Sequence, residues 1–302
     1  MSVAGDPVAP PAPTPGRRLA GPRFRPGEAA FRWLLFCCLA IGIVFLAVLM
    51  IYILVEAWPR LDSRLWTNFP SIRHPEEAGA RSAIFGTIWV IAFTALFCLP
   101  TGIMAAIYLE EYADPDRWYN RLIELNIQNL AAVPSIIYGI LGLGLLARQL
   151  ALGTTVLTAS LTLSLLVLPV VIISSREAIR AVPQSIRQAS LALGATRWQT
   201  VRRQVLPAAV PGIATGSILA LSRAIGEAAP LIMLGAVTYV AFNPEGLQSA
   251  YTVLPVQIYG WISQSREEFH HLAAAAIVIL LVLLLAMNAT AIWLRNHYTK
   301  RW

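Results

Sequence analysis

One basic and one acidic residue stand inside an otherwise apolar stretch, and they are the residues whose types could do chemistry. Arg223 and Glu227 occur in SILALSRAIGEAAPLIML, where the other residues are apolar or small. A charge at the centre of a membrane helix costs about 2.5 to 3.5 kcal/mol on insertion scales, so it calls for a partner or a task. Helix residues four apart share one face, which lets each charge neutralise the other. A guanidinium can hold an oxyanion through two parallel hydrogen bonds, and Glu227 can hold Arg223 when no anion is bound.

Two interpretations of this pair remain open on the residues alone. The pair can line a route for an anion, or it can be a buried ion pair that only fixes helix packing. Pro230 interrupts the helix backbone beside the charged pair. The small neighbours leave room for close helix contact or for a water-filled path; they are Ser222, Ala224, Gly226, Ala228 and Ala229.

The composition places these residues in a membrane protein. The chain has 302 residues, of which 57% are hydrophobic and only 13% are charged, where a soluble domain has about a quarter charged. Its mean hydropathy is +0.63. These values exclude a soluble globular enzyme, a disordered chain and a disulfide scaffold. The net charge of +7 comes from basic residues that lie between apolar segments, so we expect lipid and no nucleic acid as a partner.

Six apolar segments are long enough to cross a bilayer, which needs about 20 residues. The sequence therefore predicts an all-α integral membrane fold with six transmembrane helices. The predicted spans cover residues 33–55, 83–108, 127–147, 153–174, 208–240 and 272–294.

The distribution of basic residues predicts the orientation. Most Arg and Lys residues lie in the N-terminal tail, the second and fourth connections and the C-terminus, and positive residues favour the cytoplasmic side. Both termini are therefore predicted to be cytoplasmic. Residues 1–30 are rich in proline and predict a disordered cytoplasmic tail, while 31–302 form the transmembrane domain. We interpret the acidic run from Glu110 to Asp116 as a solvated cytoplasmic face.

No pattern for catalysis or metal binding is found in the sequence. Cys37, Cys38 and Cys98 fall inside predicted spans, where they act as small apolar residues. His270 and His271 stand beside two glutamates, but they lack metal-ligand spacing, so a solvated loop is favoured over a metal site. There is no phosphate-binding GxxxxGK[ST] loop, nucleophile elbow or HExxH motif. We therefore expect no catalytic residue, no metal and no cofactor in this chain.

The longest predicted cytoplasmic connection, residues 175–207, is strongly basic. It contains six Arg and one Glu. The pattern predicts a short helix after Pro183, with Gly194 as its C-terminal cap. A second short helix follows and ends at Leu206-Pro207. Two amphipathic helices of this kind suit a groove on a soluble partner, and they equally suit an anionic lipid surface.

The spacing in this connection resembles the EAA loop of binding-protein-dependent ABC importers. The family pattern is Glu-Ala-Ala, three residues, Gly, nine residues, then Ile-x-Leu-Pro. Here it reads Gln188-Ala189-Ser190, three residues, Gly194, nine residues, then Gln204-Val205-Leu206-Pro207. Gln188, Ser190 and Gln204 depart from the family residues. The resemblance implies that 175–207, called the coupling loop below, docks into an ATPase subunit.

Further motifs resemble the phosphate-specific PstA-type permeases. They are GTIWV at 86–90, YLEEYA at 108–113, NLAAVPSIIYGILGLG at 129–144, LALGATRWQTVRRQVLP at 191–207 and RAIGEAAPL at 223–231. The resemblance implies the type I ABC importer (MetI-like) permease fold and assigns phosphate passage to Arg223 and Glu227. It assigns ATPase coupling to Gln188, Ala189, Ser190, Gly194, Leu206 and Pro207. Pro134 is expected to bend the third span, for packing or to line the pathway.

The same resemblance implies the partners of the chain. They are a second, PstC-type permease, a PstB-type ATPase homodimer that binds ATP and Mg, and an extracytoplasmic PstS-type phosphate-binding protein. A multi-pass location in the plasma (inner) membrane follows. The alternatives are a permease for phosphonate, sulfate or molybdate, and an ion channel or membrane enzyme that works without an ATPase.

Overall fold

The computed structural model describes residues 26–114, 116–236 and 239–298. The chain divides into two compact units after Met50. The first unit contains most of helix α1, Pro26–Ala57, which starts seven residues before the predicted span. A proline is tolerated at a helix start because its missing N–H needs no partner there. Most of the predicted tail, residues 1–25, lies outside the described residues.

The second unit is helical along most of its described length. Several helices continue without a break into π-helical turns, in which the backbone bonds are one residue longer. Its helices are α2 (Arg64–Thr67), α3 (Arg81–Ile107, then a π turn Tyr108–Tyr112), α4 (Trp118–Ala131), α5 (Ser135–Leu141, then a π turn Gly142–Gln149), α6 (Val156–Arg180), α7 (Gln184–Ala192), α8 (Arg197–Thr200, then a π turn Val201–Val205), α9 (Leu206–Ile225), α10 (Ala229–Leu234), α11 (Leu254–Ile262) and α12 (Glu267–Tyr298).

The helix lengths confirm the all-α membrane architecture. Within the described residues, five helices are long and apolar enough to cross a membrane, and six if the bent pair of α4 and α5 is one span. The third span, predicted over 127–147 with a bend at Pro134, is broken into α4 and α5. Its two parts meet at 105°, because Pro134 at the break has no N–H to continue the helix. The predicted bend at Pro134 is thereby confirmed.

Helix α6 lies between α3 and α9 and forms the centre of the second unit. Hydroxyl groups join α6 to α3: Ser160 Oγ donates to the Val90 carbonyl at 3.2 Å and Ser164 Oγ to the Thr94 carbonyl at 3.3 Å. On the other side, a Cβ added to Gly216 of α9 would overlap Ser174. Apolar burial drives little association in lipid, so close contact between small residues holds such helices together.

Close backbone contact at Gly86 yields a first prediction. A Cβ at Gly86 would overlap the backbone carbonyl of Thr252, so Gly86→Ala must displace the segment that enters α11. We expect the free energy of unfolding to fall by about 1 to 3 kcal/mol, as for overpacked cores. Thermal unfolding of the detergent-purified protein measures it. Gly144→Ala is the matched control, because its Cβ meets no atom within 4 Å; equal midpoints for both variants would contradict the close approach.

Candidate functional site

The fifth span stops just after Arg223. Helix α9 ends at Ile225, Gly226 caps it, and α10 begins only at Ala229. The predicted span 208–240 is therefore not one continuous helix, and the interruption expected at Pro230 is present. Pro230 explains the interruption, because it has no N–H for the carbonyl four residues earlier, that of Gly226.

The predicted contact between the two charges is present despite this break. The Arg223 Nε atom donates to Glu227 Oε1 at 3.3 Å. A turn closed by the Glu227 N–H on the Ala224 carbonyl at 3.3 Å brings the carboxylate back toward the helix end. The pair thus sits where the backbone leaves the helix, not on a continuous helical face.

The two side chains of the pair differ in exposure. The Arg223 side chain is 59% exposed and that of Glu227 is 18% exposed. Only Nε of the guanidinium has a partner among the described residues. The Nη1 and Nη2 edge of Arg223 is therefore available to a ligand, and such an edge can bind an oxyanion in the bidentate manner.

Polar contacts join α9 to α12 along the stretch of α9 that leads to Arg223. Ser222 Oγ donates to Asn288 Oδ1 at 2.5 Å, and Arg295 Nη1 donates to Thr215 Oγ1 at 2.8 Å. The partners are seven residues apart on each helix, which is the spacing of two antiparallel helices in contact along one stripe. Sequence reasoning missed Asn288 and Arg295. A lone Asn inside the apolar run of α12 was the available signal.

An apolar cavity of about 330 Å³ lies between α3, α9 and α12. Its lining includes Ile91, Leu221, Ile225 and Met287. Because this lining offers almost no polar atoms, the cavity itself cannot hold an anion. The charged group nearest to it along the chain is Arg223, two residues before Ile225.

The first half of the coupling loop folds as the sequence predicted. Helix α7 covers Gln184–Ala192, and Gly194 follows with φ +83°, a left-handed conformation that glycine adopts without strain. The next helix begins at Arg197 with a capping box, in which Thr196 and Gln199 bond each other's backbone N–H. The Thr-x-x-Gln spacing could have predicted this start.

The second half of the loop differs from the prediction. Leu206-Pro207 does not end a short helix, because one continuous helix runs from Arg197 to Ile225. The π turn Val201–Val205 precedes Pro207, and its last bond joins the Leu206 N–H to the Val201 carbonyl. We attribute the continuity to this wider turn, which leaves space for the proline ring.

The structure gathers four of the six predicted coupling residues on one protrusion. Gln188, Ala189 and Gly194 are exposed there, and Ser190 is half-buried, with its Oγ atom 2.9 Å from Thr200 Oγ1. A groove of about 430 Å³ runs between α7 and the following helix, with Ala189 and Ser190 in its wall. The other two, Leu206 and Pro207, lie further along the continuous helix and outside this protrusion.

Exposed apolar side chains surround that groove. Leu193 is 90% exposed, and Ile186 and Leu191 are exposed beside it. Because exposed apolar side chains of this size gain by burial, this protrusion presents a surface suited to a partner, whether a protein groove or lipid.

The acidic run forms the predicted solvated face only in part: Asp114 and Asp116 are exposed, whereas the two glutamates are not. Glu111 is almost fully buried, and Glu110 accepts hydrogen bonds from Arg176 and Arg180 of α6. Arg176 also bonds Glu124 at 2.8 Å. These glutamates pair with arginines that lie more than 50 residues away in sequence, so no local pattern could have shown these partners.

The two adjacent histidines lie in the first turns of α12, not in a loop. His271 Nδ1 is 3.0 Å from Glu56 Oε1, and a ring nitrogen of His270 contacts the Gln264 carbonyl. Within 26–114, 116–236 and 239–298, no group of three or more His, Cys, Asp or Glu side chains is placed to hold a metal ion.

Comparisons with known proteins agree with this architecture. One chain of a bacterial ABC transporter that imports the acidic polysaccharide alginate superimposes with a TM-score of 0.62 at 19% identity, over 91% of this chain and 99% of that chain. A chain of the methionine transporter MetNI gives a TM-score of 0.54 at 20% identity, over 71% of this chain and 92% of that chain. At such identities the likeness concerns the fold, which confirms the type I ABC importer permease architecture.

Sequence relatives extend the likeness. The chain is 34% identical over 206 residues to the probable ABC transporter permease protein YqgI of Bacillus subtilis, covering 68% of this chain and 69% of the relative. It is 31% identical over 227 residues to the phosphate transport system permease protein PstA 1 of Mycobacterium tuberculosis, covering 74% of each. Residues 98–302 match the family model described as the binding-protein-dependent transport system inner membrane component. The chain is therefore a multi-pass membrane protein that belongs to the family of binding-protein-dependent transport system inner membrane components.

Proposed function

We propose that this chain is a permease subunit of an ATP-driven phosphate importer and forms part of the route by which inorganic phosphate crosses the plasma membrane. The observation that carries the proposal is the exposed guanidinium edge of Arg223 at the break of the fifth span. The relative named as a phosphate permease supports the choice of substrate.

The geometry of the pair suits an anion that must be bound and then released. With no anion, Arg223 contacts Glu227 through Nε alone. An arriving phosphate can take the Nη1 and Nη2 edge through two charge-assisted hydrogen bonds, and it then repels the nearby carboxylate. Glu227 recovers Arg223 when the anion leaves. Such an exchange keeps the positive charge compensated in both states.

The partners follow from the family and from the coupling loop. The proposed complex contains a second homologous permease, an ATPase homodimer that binds ATP and Mg, and an extracytoplasmic phosphate-binding protein. In this complex the ATPase subunits bind and hydrolyse ATP, and we expect no cofactor in this chain. The coupling loop and both termini face the cytoplasm, because most basic residues lie on that side.

The continuous helix from Arg197 to Ile225 gives the ATPase a direct route to the substrate. Ser190 of α7 contacts Thr200 at the start of this helix, and Arg223 lies near its other end. Over 29 residues the helix is about 43 Å long, at 1.5 Å per residue. A tilt imposed on α7 by closure of the ATPase therefore moves Arg223 without a flexible joint between them.

Uptake of radiolabelled phosphate tests the proposed function. In cells that lack other phosphate carriers, we expect uptake only when this chain is expressed with its permease, ATPase and binding-protein partners. A hundredfold excess of sulfate, molybdate or a phosphonate should leave the rate unchanged. Inhibition by one of these would assign the permease to that oxyanion instead, and flux from the chain alone without ATP would indicate a channel.

A further inference from the structure

The end of α3 is fastened to the coupling loop by a buried ion pair. Arg187 of α7 donates to Glu111 Oε1 through Nη2 at 2.7 Å and through Nε at 3.0 Å. The two side chains are only 12% and 8% exposed. A pair this deeply buried is costly to break, because separation or removal of either partner leaves an uncompensated charge in the protein interior. The two side chains are therefore held together.

The same guanidinium also binds the end of α6. Arg187 Nη1 donates to the Val182 carbonyl at 2.6 Å, and Nη2 donates to the Ile179 carbonyl at 2.9 Å. Carbonyls at a helix C-terminus carry partial negative charge and favour a cation. Arg187 therefore joins three elements: its own helix α7, the end of α6 and the π turn that follows α3.

The π turn Tyr108–Tyr112 directs three consecutive side chains to three different elements. Glu110 binds Arg176 and Arg180 of α6. Glu111 binds α7, as described above. The ring of Tyr112 lies 5.3 Å from the guanidinium of Arg197 at the start of α8, within range for a cation–π contact. The turn thus contacts both helices of the coupling loop.

Helix α7 is otherwise loosely attached. None of its residues is fully buried, and only Arg187 and Ser190 are less than exposed. Ser190 contacts Thr200, at the start of the continuous helix. The attachments of α7 therefore lead to different places: Ser190 leads to the fifth span, and Arg187 leads to the π turn after α3 and to the end of α6.

We propose that Glu111 and Arg187 form a second mechanical link, which carries movement of the coupling loop to α3 while the continuous helix carries it to Arg223. Helices α3 and α9 line the same cavity together with α12. When α3 and α9 move together, the space between them and α12 opens or closes, and neither of the two slides past the other. Glu111 and Arg187 are positioning residues in this scheme. It rests on the proposed function in assuming that an ATPase moves α7.

A double variant separates the link from the folding of the protein. Glu111→Leu with Arg187→Met removes both charges together and keeps apolar bulk, a change that buried ion pairs tolerate. Spin labels are attached at Ala113→Cys, just after the π turn, and in a second preparation at Arg202→Cys. Both preparations use a chain whose three native cysteines are replaced by serine.

In the complete complex reconstituted in proteoliposomes, we expect ATP with vanadate to change the spectra of both labels. In the double variant, the change at position 202 should persist and the change at position 113 should fall at least fivefold. Phosphate transported per ATP hydrolysed should fall about tenfold in the double variant without the labels. Glu177→Gln is the matched control, because Glu177 is exposed and its ion pair within the described residues, with Arg180, lies at the surface.

An undiminished response at position 113 in the double variant would overturn the link. If that variant fails to assemble, Arg187→Lys provides the test. Lysine keeps the positive charge but lacks the planar guanidinium that binds Glu111 through two nitrogens. An intermediate spectral change at position 113 then supports the link, and a full change overturns it. The spectra require no transported substrate. Absence of phosphate transport by the wild-type complex would therefore count against the proposed function alone, while the label at position 113 still tests the link.

Discussion

Replacement of Arg223 by alanine is expected to reduce phosphate uptake at least a hundredfold while the complex stays assembled. The variant removes the guanidinium edge that is available to an anion. Hydrogen bonds to charged groups contribute about 1.5 to 3 kcal/mol each, so the loss of two accounts for this factor. Assembly should persist because the Arg223 side chain is 59% exposed and supports little packing. Radiolabelled phosphate uptake and co-purification of the partners measure the two effects.

Arg223→Lys and Glu227→Gln give the matched comparisons for that variant. Lysine keeps the positive charge but cannot bind an oxyanion through a planar fork, so uptake should fall between wild type and Arg223→Ala. Glu227→Gln removes the carboxylate that recovers Arg223, and we expect tighter phosphate retention with slower release. If the Arg223→Ala variant takes up phosphate at the wild-type rate, the pair of Arg223 and Glu227 is a packing contact and does not bind the anion.

The second large effect is expected at the protrusion of the coupling loop. Leu193→Asp should abolish co-purification of the ATPase, with at least a hundredfold weaker binding. Leu193 is 90% exposed, and burial of a leucine contributes about 1.5 to 3 kcal/mol. An aspartate in the same groove adds the penalty for burying an unpaired charge. Pull-down through a tag on this chain, followed by measurement of ATPase activity, gives the result.

Ile72→Asp serves as the control for that experiment. Ile72 is also an exposed apolar residue, but it lies in the connection between α2 and α3, on the side predicted to be extracytoplasmic. The same change of charge and polarity there should leave the bound ATPase at the wild-type level. If Leu193→Asp retains the ATPase as well as Ile72→Asp does, the protrusion faces lipid headgroups instead of a protein groove.

The spans were predictable because one-dimensional patterns determine them. A helix in lipid satisfies its own backbone groups, so a long apolar run is sufficient to indicate it. The cap at Gly194 was predictable for a similar reason, since a left-handed residue after an amphipathic helix favours glycine. The contact between Arg223 and Glu227 followed from their spacing, which a short turn preserves even though the helix stops at Ile225.

Helix ends near prolines were predicted less well. Pro207 was expected to end a helix and does not, while Pro230 was expected to interrupt the fifth span and does, with the helix already ending at Ile225. A proline removes one backbone donor in both places. The result depends on whether the neighbouring turn can widen, as at Val201–Val205, and the proline alone does not reveal this.

The amino-acid sequence by itself determined the membrane class, the number of spans, the spacing of the coupling loop and the charged pair at Arg223 and Glu227, since each depends on residues close together in the chain. Only the tertiary structure decided the partners of Glu111, Ser222 and Arg295. Glu111 meets an arginine 76 residues away. Such contacts depend on which helices pack side by side, and the energies that select one packing are sums over many distant residues that no local pattern contains.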